Sequence, residues 1–270
     1  MSTLSQEAIE AALTTRRLGH PTLYLPRVGS TNDVAHKRAA GAPDGLLVLT
    51  DEQTAGRGRL DRAWWAPPGA SLLMSLLLRP PLPAHLAGQL PMCLGLAAVE
   101  GIEQATGLRP ALKWPNDVLW AGRKLGGMLT ELRTSGEQLD YVVLGLGINV
   151  NIEFGDLGRA HAVPAELAAT ATSLLMAAGR PVERLTLLAA ILARCEWWYE
   201  RVLAGELLHK AWAARLDTLG RDVKVGLPSG TLYGVAAGVT PEGALIVRTP
   251  GGREEVIWAG DVTSLGLDGL

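Results

Sequence analysis

The stretch Ser71-Leu72-Leu73-Met74-Ser75-Leu76-Leu77-Leu78 constrains the fold most. It is a nearly continuous apolar run without polar alternation, so an extended chain here must be covered on both faces, as in the middle of a sheet. Ser75 interrupts it, and the run is far too short to span a bilayer. A second strand-like segment, Gly45 to Gln53, comes just before it. Residues 54–70 therefore connect two central strands.

That connection belongs to the run Gln53-Thr54-Ala55-Gly56-Arg57-Gly58-Arg59-Leu60-Asp61-Arg62-Ala63-Trp64, with three arginines in six residues. Glycines at 56 and 58 permit positive φ and remove side chains, so backbone N–H groups can approach a ligand while the guanidiniums point toward it. Such a loop is either a solvated basic surface or a cradle for an anion. Three more polar or glycine-rich clusters lie at strand ends or turns, where sites tend to be built: Lys113-Trp114-Pro115-Asn116-Asp117, Gly122-Arg123-Lys124-Leu125-Gly126-Gly127 and Leu144-Gly145-Leu146-Gly147-Ile148-Asn149. Gly145 and Gly147 do not make a dinucleotide fingerprint, because no third glycine follows and Val150-Asn151-Ile152 stays strand-like instead of opening a helix. There is no Gly-x-x-x-x-Gly-Lys-Ser/Thr phosphate loop, and the five histidines fall in no metal-ligand spacing.

Along the chain, Ser5 to Leu18 has the spacing of a short amphipathic helix, with Ser5 as N-cap. Thr22 to Val28 reads as a strand. Ser30 or Thr31 caps a helix over Val34 to Ala40, and Asp33 complements its positive end; the same N-terminus can also hydrogen-bond a small polar head group. A helical stretch between Ala84 and Thr106 is broken or started near Pro91. Strands over Leu125 to Leu132 and Tyr141 to Asn149 form a second antiparallel block. Helices are expected at Ala165–Ala168, Glu183–Leu203 and Glu206–Leu216. Beyond Gly220, short strands over Val223–Leu227, Thr231–Val239, Ala244–Arg248 and Glu254–Trp258 alternate with Pro/Gly turns, which predicts a small β-barrel. The expected division is residues 1–219 and residues 220–270.

A net charge of -2 provides no basic field for nucleic acid. Cys93 and Cys195 are far apart in apolar, helix-like segments and suit buried thiols better than a disulfide, a metal pair or a nucleophile. No signal-peptide pattern opens the sequence, so a cytoplasmic protein without membrane association is expected.

The set Ser30-Thr31-Asn32, Gln53 with Gly56-Arg57-Gly58-Arg59-x-x-Arg62-x-Trp64, Lys113-Trp114-Pro115-Asn116-Asp117, Gly122-Arg123-Lys124-Leu125-Gly126-Gly127 and Gly145-Leu146-Gly147-Ile148-Asn149 resembles, in order and spacing, the biotin protein ligases, also called biotin-[acetyl-CoA-carboxylase] ligases. The resemblance runs from about residue 22 to the C-terminus. It implies an α+β catalytic domain with a mixed central sheet flanked by helices, followed by an SH3-like C-terminal domain. It also implies a two-step reaction: biotin and ATP give biotinoyl-5'-AMP and pyrophosphate, then a lysine of a biotin carboxyl carrier protein attacks the acyl carbon. Two anions must meet in the first step, so cations have to neutralise both. By similarity Lys124 would bridge the biotin carboxylate and the α-phosphate, Arg57 and Arg59 would clamp the carboxylate and phosphate side, and Arg62 would reach the outgoing pyrophosphate. Ser30, Thr31, Asn32 and Gln53 match positions that bind the biotin head group, with Gly58 in the loop and Gly127, Leu129, Gly145 and Gly147 leaving room for the ring. Asn149 would contact the adenine and Trp64 cover the adenylate, or Trp64 is ordinary packing. Asn116-Asp117 either positions Mg²⁺ through Asp117 or builds the turn after Pro115.

Many members of that family carry Arg-Gly where this chain has Leu60-Asp61, which affects how tightly the loop closes. The loop is expected to be mobile without ligand and to order over the acyl phosphate. Some relatives carry an N-terminal winged helix-turn-helix; 29 residues precede Ser30 here, too few for such a domain, so a ligase without operator binding is expected. Lipoate ligases and octanoyl transferases share the catalytic fold and are the alternative; a DNA-binding repressor is the non-enzyme alternative. A homodimer paired at sheet edges is open.

Overall fold

The structure, a computed structural model, describes residues 4–154, 164–228 and 230–265. The Ser5 hydroxyl accepts from the Ala8 N–H and starts helix α1 (Gln6–Ala12), which buries Ile9. The helix ends short of Leu18: two threonines follow Leu13, and the N–H groups of Arg16 and Arg17 go instead to the Glu196 carboxylate at 2.8 Å. Next come β1 (Thr22–Val28), α2 (Thr31–Arg38), β2 (Leu46–Gln53) and β3 (Ser71–Leu78). Helix α3 (Gln89–Thr106) starts two residues before Pro91, where the missing N–H costs nothing. Strands β4 (Ala111–Lys113), β5 (Asp117–Trp120), β6 (Arg123–Ser135) and β7 (Gln138–Asn149) follow.

All seven strands form one sheet in the order β1-β2-β3-β7-β6-β5-β4, with β1 and β2 parallel and every other pair antiparallel. The expected second block is therefore not separate. β7 pairs with the whole of β3, from Ser71↔Asn149 to Leu78↔Val142. Every residue of β3 is buried. Leu72, Met74, Leu76 and Leu78 join a core with α3, whereas Leu77 on the opposite face packs with Ala35 of α2 and Ala39, its C-cap. The other layer continues through α4 (Ala165–Thr170), α5 (Leu174–Ala178), α6 (Arg184–Leu203) and α7 (His209–Ala213). Glu183 caps α6 by accepting from Leu185 and Thr186. α7 is shorter than the expected helix, and α5, bounded by Ser173 and Gly179, was not foreseen.

Cys93 on α3 and Cys195 on α6 are distant in sequence but face each other across the core, Sγ to Sγ 3.9 Å, as free buried thiols. Burial pushes the Cys93 thiol well above its usual range.

The C-terminal strands β8 (Asp222–Leu227), β9 (Gly230–Val239), β10 (Leu245–Arg248), β11 (Glu254–Ile257) and β12 (Asp261–Ser264) form an antiparallel sheet in the order β11-β10-β9-β8-β12. Among the described residues β11 and β12 remain its edges, so the SH3-like sheet is not closed by a ring of hydrogen bonds into the expected barrel. The expected turn at Pro228-Ser229-Gly230 includes Ser229, which lies outside the described residues. This sheet shares its core with the large one: Val223, Val225 and Leu245 belong to the same cluster as α3. The Trp114 indole N–H donates to Gly243 O at 3.0 Å, and Gln89 Nε2 to Pro241 O at 2.7 Å.

Candidate active site

A cavity of about 280 Å³ opens where the β2–β3 connection, the N-terminus of α2, strands β5 to β7 and the β11–β12 turn converge. Every candidate site residue named from the sequence lines it.

One end is a neutral polar wall. Ser30, Thr31 and Asn32 are buried where α2 begins, with Ser30 at the N-cap but making no side-chain capping bond. Gln53 Oε1, at the end of β2, accepts from the Thr31 N–H at 2.8 Å and lies 3.1 Å from its hydroxyl. Asn32 Nδ2 donates to Glu131 Oε2 at 2.7 Å and weakly to Leu129 O at 3.5 Å. A side chain on Gly145 would put its Cβ 2.4 Å from Asn32 Oδ1. The space at Gly145 is thus already filled by the Asn32 amide.

Arg57 borders this wall, sharing the Glu131 carboxylate with Asn32, and Lys124, Arg59 and Arg62 line the cavity beside Asp117, Asn116 and the β11–β12 turn. Lys124 Nζ pairs with Asp117 Oδ1 at 2.7 Å, and Arg57 pairs with Asp33 at 2.6 Å and Glu131 at 3.2 Å. Arg59 donates to Asn116 Oδ1 at 3.3 Å and to Gly260 O at 3.5 Å, while Arg62 pairs with Asp261. Desolvation, the largest influence, lowers the Arg59 pKa against the opposing pull of Asp117 and Asp261. Lys124, Arg57 and Arg62 are each offset by a carboxylate, with which an incoming phosphate or carboxylate would compete, whereas Arg59 has, among the described residues, only the neutral Asn116 and Gly260 oxygens as hydrogen-bond partners. Asn116 also ties the turn to β6, donating to Met128 O at 2.7 Å. Among the described residues no group of three or more His, Cys, Asp or Glu side chains could hold a metal.

Trp64 also lines the cavity. Its ring rests on Gly147, where a Cβ would come within 2.6 Å, and on Gly127, where the gap would be 3.3 Å. Its Nε1 is buried without a partner, and Lys124 Nζ is 5.8 Å from the ring centroid. Trp65 instead packs beside Ile152, Phe154 and Ala171. Asn149 is buried and donates to Thr172 O at 3.0 Å. The β2–β3 connection folds back on itself, with Gly58 N–H donating to Arg62 O and Trp64 N–H to Gly56 O. Leu60 at its tip takes φ 55°, a left-handed conformation awkward for a side chain, and is 67% exposed. The Asp61 side chain lies outside the described residues.

Four participants escaped the sequence reading. Asp33 was read only as a helix-end charge, whereas Glu131, Ser75 and the Gly260-Asp261 turn were not singled out for the site. Only Ser75 left a signal, as a hydroxyl in an otherwise apolar strand centre.

Residues 24–149 match the Biotin/lipoate A/B protein ligase family, and residues 218–263 match the Biotin protein ligase C terminal domain. The bifunctional ligase/repressor BirA of Bacillus spizizenii is 36% identical over 256 residues, which cover 94% of this chain and 77% of that protein. The biotin--[acetyl-CoA-carboxylase] ligase of Paracoccus denitrificans is 37% identical over 239 residues, covering 86% of this chain and 96% of that one. Among solved structures, a biotin protein ligase from Aquifex aeolicus in complex with biotin and ATP aligns with a TM-score of 0.73 at 28% identity, covering 90% of this chain and 97% of that one. With both family segments matched in order and more than a third of the residues shared with ligases along most of its length, the chain belongs to the biotin protein ligase family.

Proposed function

We propose that this chain is an ATP-dependent biotin protein ligase, with residues 1–219 as the catalytic unit and 220–270 as its C-terminal domain. The observation that carries the reading is the cavity's lining: neutral hydrogen-bonding groups where α2 begins and the cations Arg57, Arg59, Arg62 and Lys124 along the β2–β3 connection and β6, in a member of this family. Biotin has a group for each, a neutral cyclic urea at one end and a carboxylate at the other.

In the first step a biotin carboxylate oxygen attacks the α-phosphorus of ATP, and the bond to the bridging oxygen of pyrophosphate breaks. Lys124 and Arg59 lie where they offset the two approaching anions, Arg57 holds the carboxylate side, and Arg62 receives the outgoing pyrophosphate. Ser30, Thr31, Asn32 and Gln53 bind the ureido group beside Gly58, Gly127, Leu129 and Gly145; Trp64, over Gly147, and Asn149 take the adenylate side. In the second step the neutral amine of an acceptor lysine attacks the acyl carbon, AMP leaves, and the nitrogen loses a proton. The acceptor belongs to a biotin carboxyl carrier protein or domain.

A magnesium ion carried in with ATP would be held through Asp117, the carboxylate that pairs with Lys124 at 2.7 Å, and otherwise by the phosphates it brings. It would supply further neutralisation of phosphate charge. The net charge of -2 supports a ligase that does not bind DNA, the outer edge of β1 supports a homodimer, and use of ATP fits a cytoplasmic setting. Purified chain with ATP and Mg²⁺ is expected to release pyrophosphate only when biotin is added, lipoate failing to replace it, and to label a carrier domain. Biotin-independent release, or none, overturns the reading.

A further inference from the structure

We propose that Ser75, behind the cavity wall on β3, is a positioning residue that fixes which hydrogen-bonding atoms Thr31 and Asn32 present to the biotin head group. Ser75 has this role only if the cavity holds biotin as proposed above. Its side chain is completely buried and lies on the face of β3 that packs against α2. Ser75 Oγ is 2.6 Å from Asn32 Oδ1 and 2.7 Å from Thr31 Oγ1. One hydroxyl has one proton, and it cannot serve both contacts.

The neighbours decide where it goes. Asn32 Nδ2 lies 2.7 Å from the Glu131 carboxylate, which only accepts, so that atom is the amide nitrogen and the atom facing Ser75 is the oxygen. An amide oxygen has no proton to give. Ser75 therefore donates to Asn32, and its contact with Thr31 needs the proton of Thr31. Gln53 Oε1, held by the Thr31 N–H at 2.8 Å, is a second acceptor 3.1 Å from the same hydroxyl. Whichever of the two takes it, the Thr31 proton is used inside the wall. Toward the cavity Thr31 offers lone pairs alone.

An acceptor fixed in this way suits an N–H of a cyclic urea and opposes a carbonyl oxygen, because a buried mismatch leaves both groups unsatisfied. Gly145 lies opposite Ser75 in the β3–β7 register, and its missing side chain admits the Asn32 amide that completes the relay. Without the Ser75 hydroxyl, Asn32 Oδ1 loses its donor and the Thr31 hydroxyl keeps only its longer contact, 3.1 Å, with Gln53 Oε1. Arg59 and Lys124, at the phosphate end, have no contact with this relay.

The test is calorimetric titration of the full chain with biotin, alongside the KM for ATP in pyrophosphate release at saturating biotin. Ser75→Ala is expected to raise the biotin Kd about tenfold, the scale of one lost buried hydrogen bond, and to leave the ATP KM within about twofold. Ser75→Thr, which keeps the hydroxyl, is expected to recover most of the affinity. If Ser75→Ala gives no cooperative melt, Ser75→Cys, a weaker donor of similar size, is expected to show the same selective loss. Unchanged biotin affinity, or a parallel loss at both substrates with no rescue by threonine, overturns the proposal. Wild-type chain that binds no biotin overturns the functional reading and this proposal with it.

Discussion

Lys124 and Arg59 illustrate how little a charged side chain at this site owes to stability and how much to chemistry. Lys124 is 38% exposed and, among the described residues, pairs with Asp117 alone, so its removal should cost at most about 1 kcal/mol. Its proposed role predicts a much larger catalytic effect: Lys124→Ala and Arg59→Ala are each expected to slow adenylate formation by about 10²- to 10³-fold, as loss of a preorganised electrostatic group does. Pyrophosphate release and a thermal melt measured on the same preparations check both halves. The candidate residues were legible because short glycine- and arginine-spaced motifs carry their chemistry locally. Their partners were not. Asp33, Glu131 and Asp261 are ordinary acidic residues until the fold brings each beside an arginine, and Ser75 shows its purpose only once β3 lies behind α2.

At the scale of elements, the β2–β3 connection is pinned by the β11–β12 turn, through Arg62–Asp261 and Arg59 to Gly260 O. Both members of the ion pair are more than half exposed, so the pair contributes little to global stability. Asp261→Ala is therefore expected to leave the melting temperature almost unchanged while trypsin cuts faster after Arg57, Arg59 and Arg62; biotin with ATP should slow cleavage in both chains. Equal cleavage in the two ligand-free chains would mean that the turn does not restrain the connection. A second element-scale effect links β1 and β2, where Tyr24 donates to Asp51 at 2.7 Å. Burial, then the hydrogen bond and charge of Asp51, push the Tyr24 pKa up to about 12. The folded value is raised, so this contribution is whole below about pH 10, the ordinary tyrosine value, and is lost as pH rises toward 12. The melting temperature should fall more steeply over that window in wild type than in Tyr24→Phe. Most strands and the long α6 were legible from apolar pattern and turn residues. β12 and α5 were missed because they are too short to show a period, and the single sheet was hidden because β3 finds β7 across a long stretch of intervening sequence.

The whole molecule is held together across its two sheets by Trp114, which is 2% exposed and reaches Gly243 O, and by the Trp114 N–H donating to Thr218 Oγ1 at 2.9 Å. Trp114→Ala should cost about 3–5 kcal/mol, since it removes a large buried ring and leaves the Gly243 carbonyl without its donor. Urea unfolding followed by circular dichroism and by tryptophan emission is expected to lose its coincidence in this variant, as the C-terminal sheet loosens first. A single unchanged transition would show that the seam does not depend on this indole. A change in composition near Gly220 marks the proposed boundary between the two regions, but composition does not reveal that the C-terminal strands return to the cavity. Gly260, Asp261 and Val262 form part of the cavity lining. The small sheet is thus a wall of the cavity: exchanging it for that of a relative would alter the pocket itself, and a chimera would inherit its proposed phosphate end from two parents.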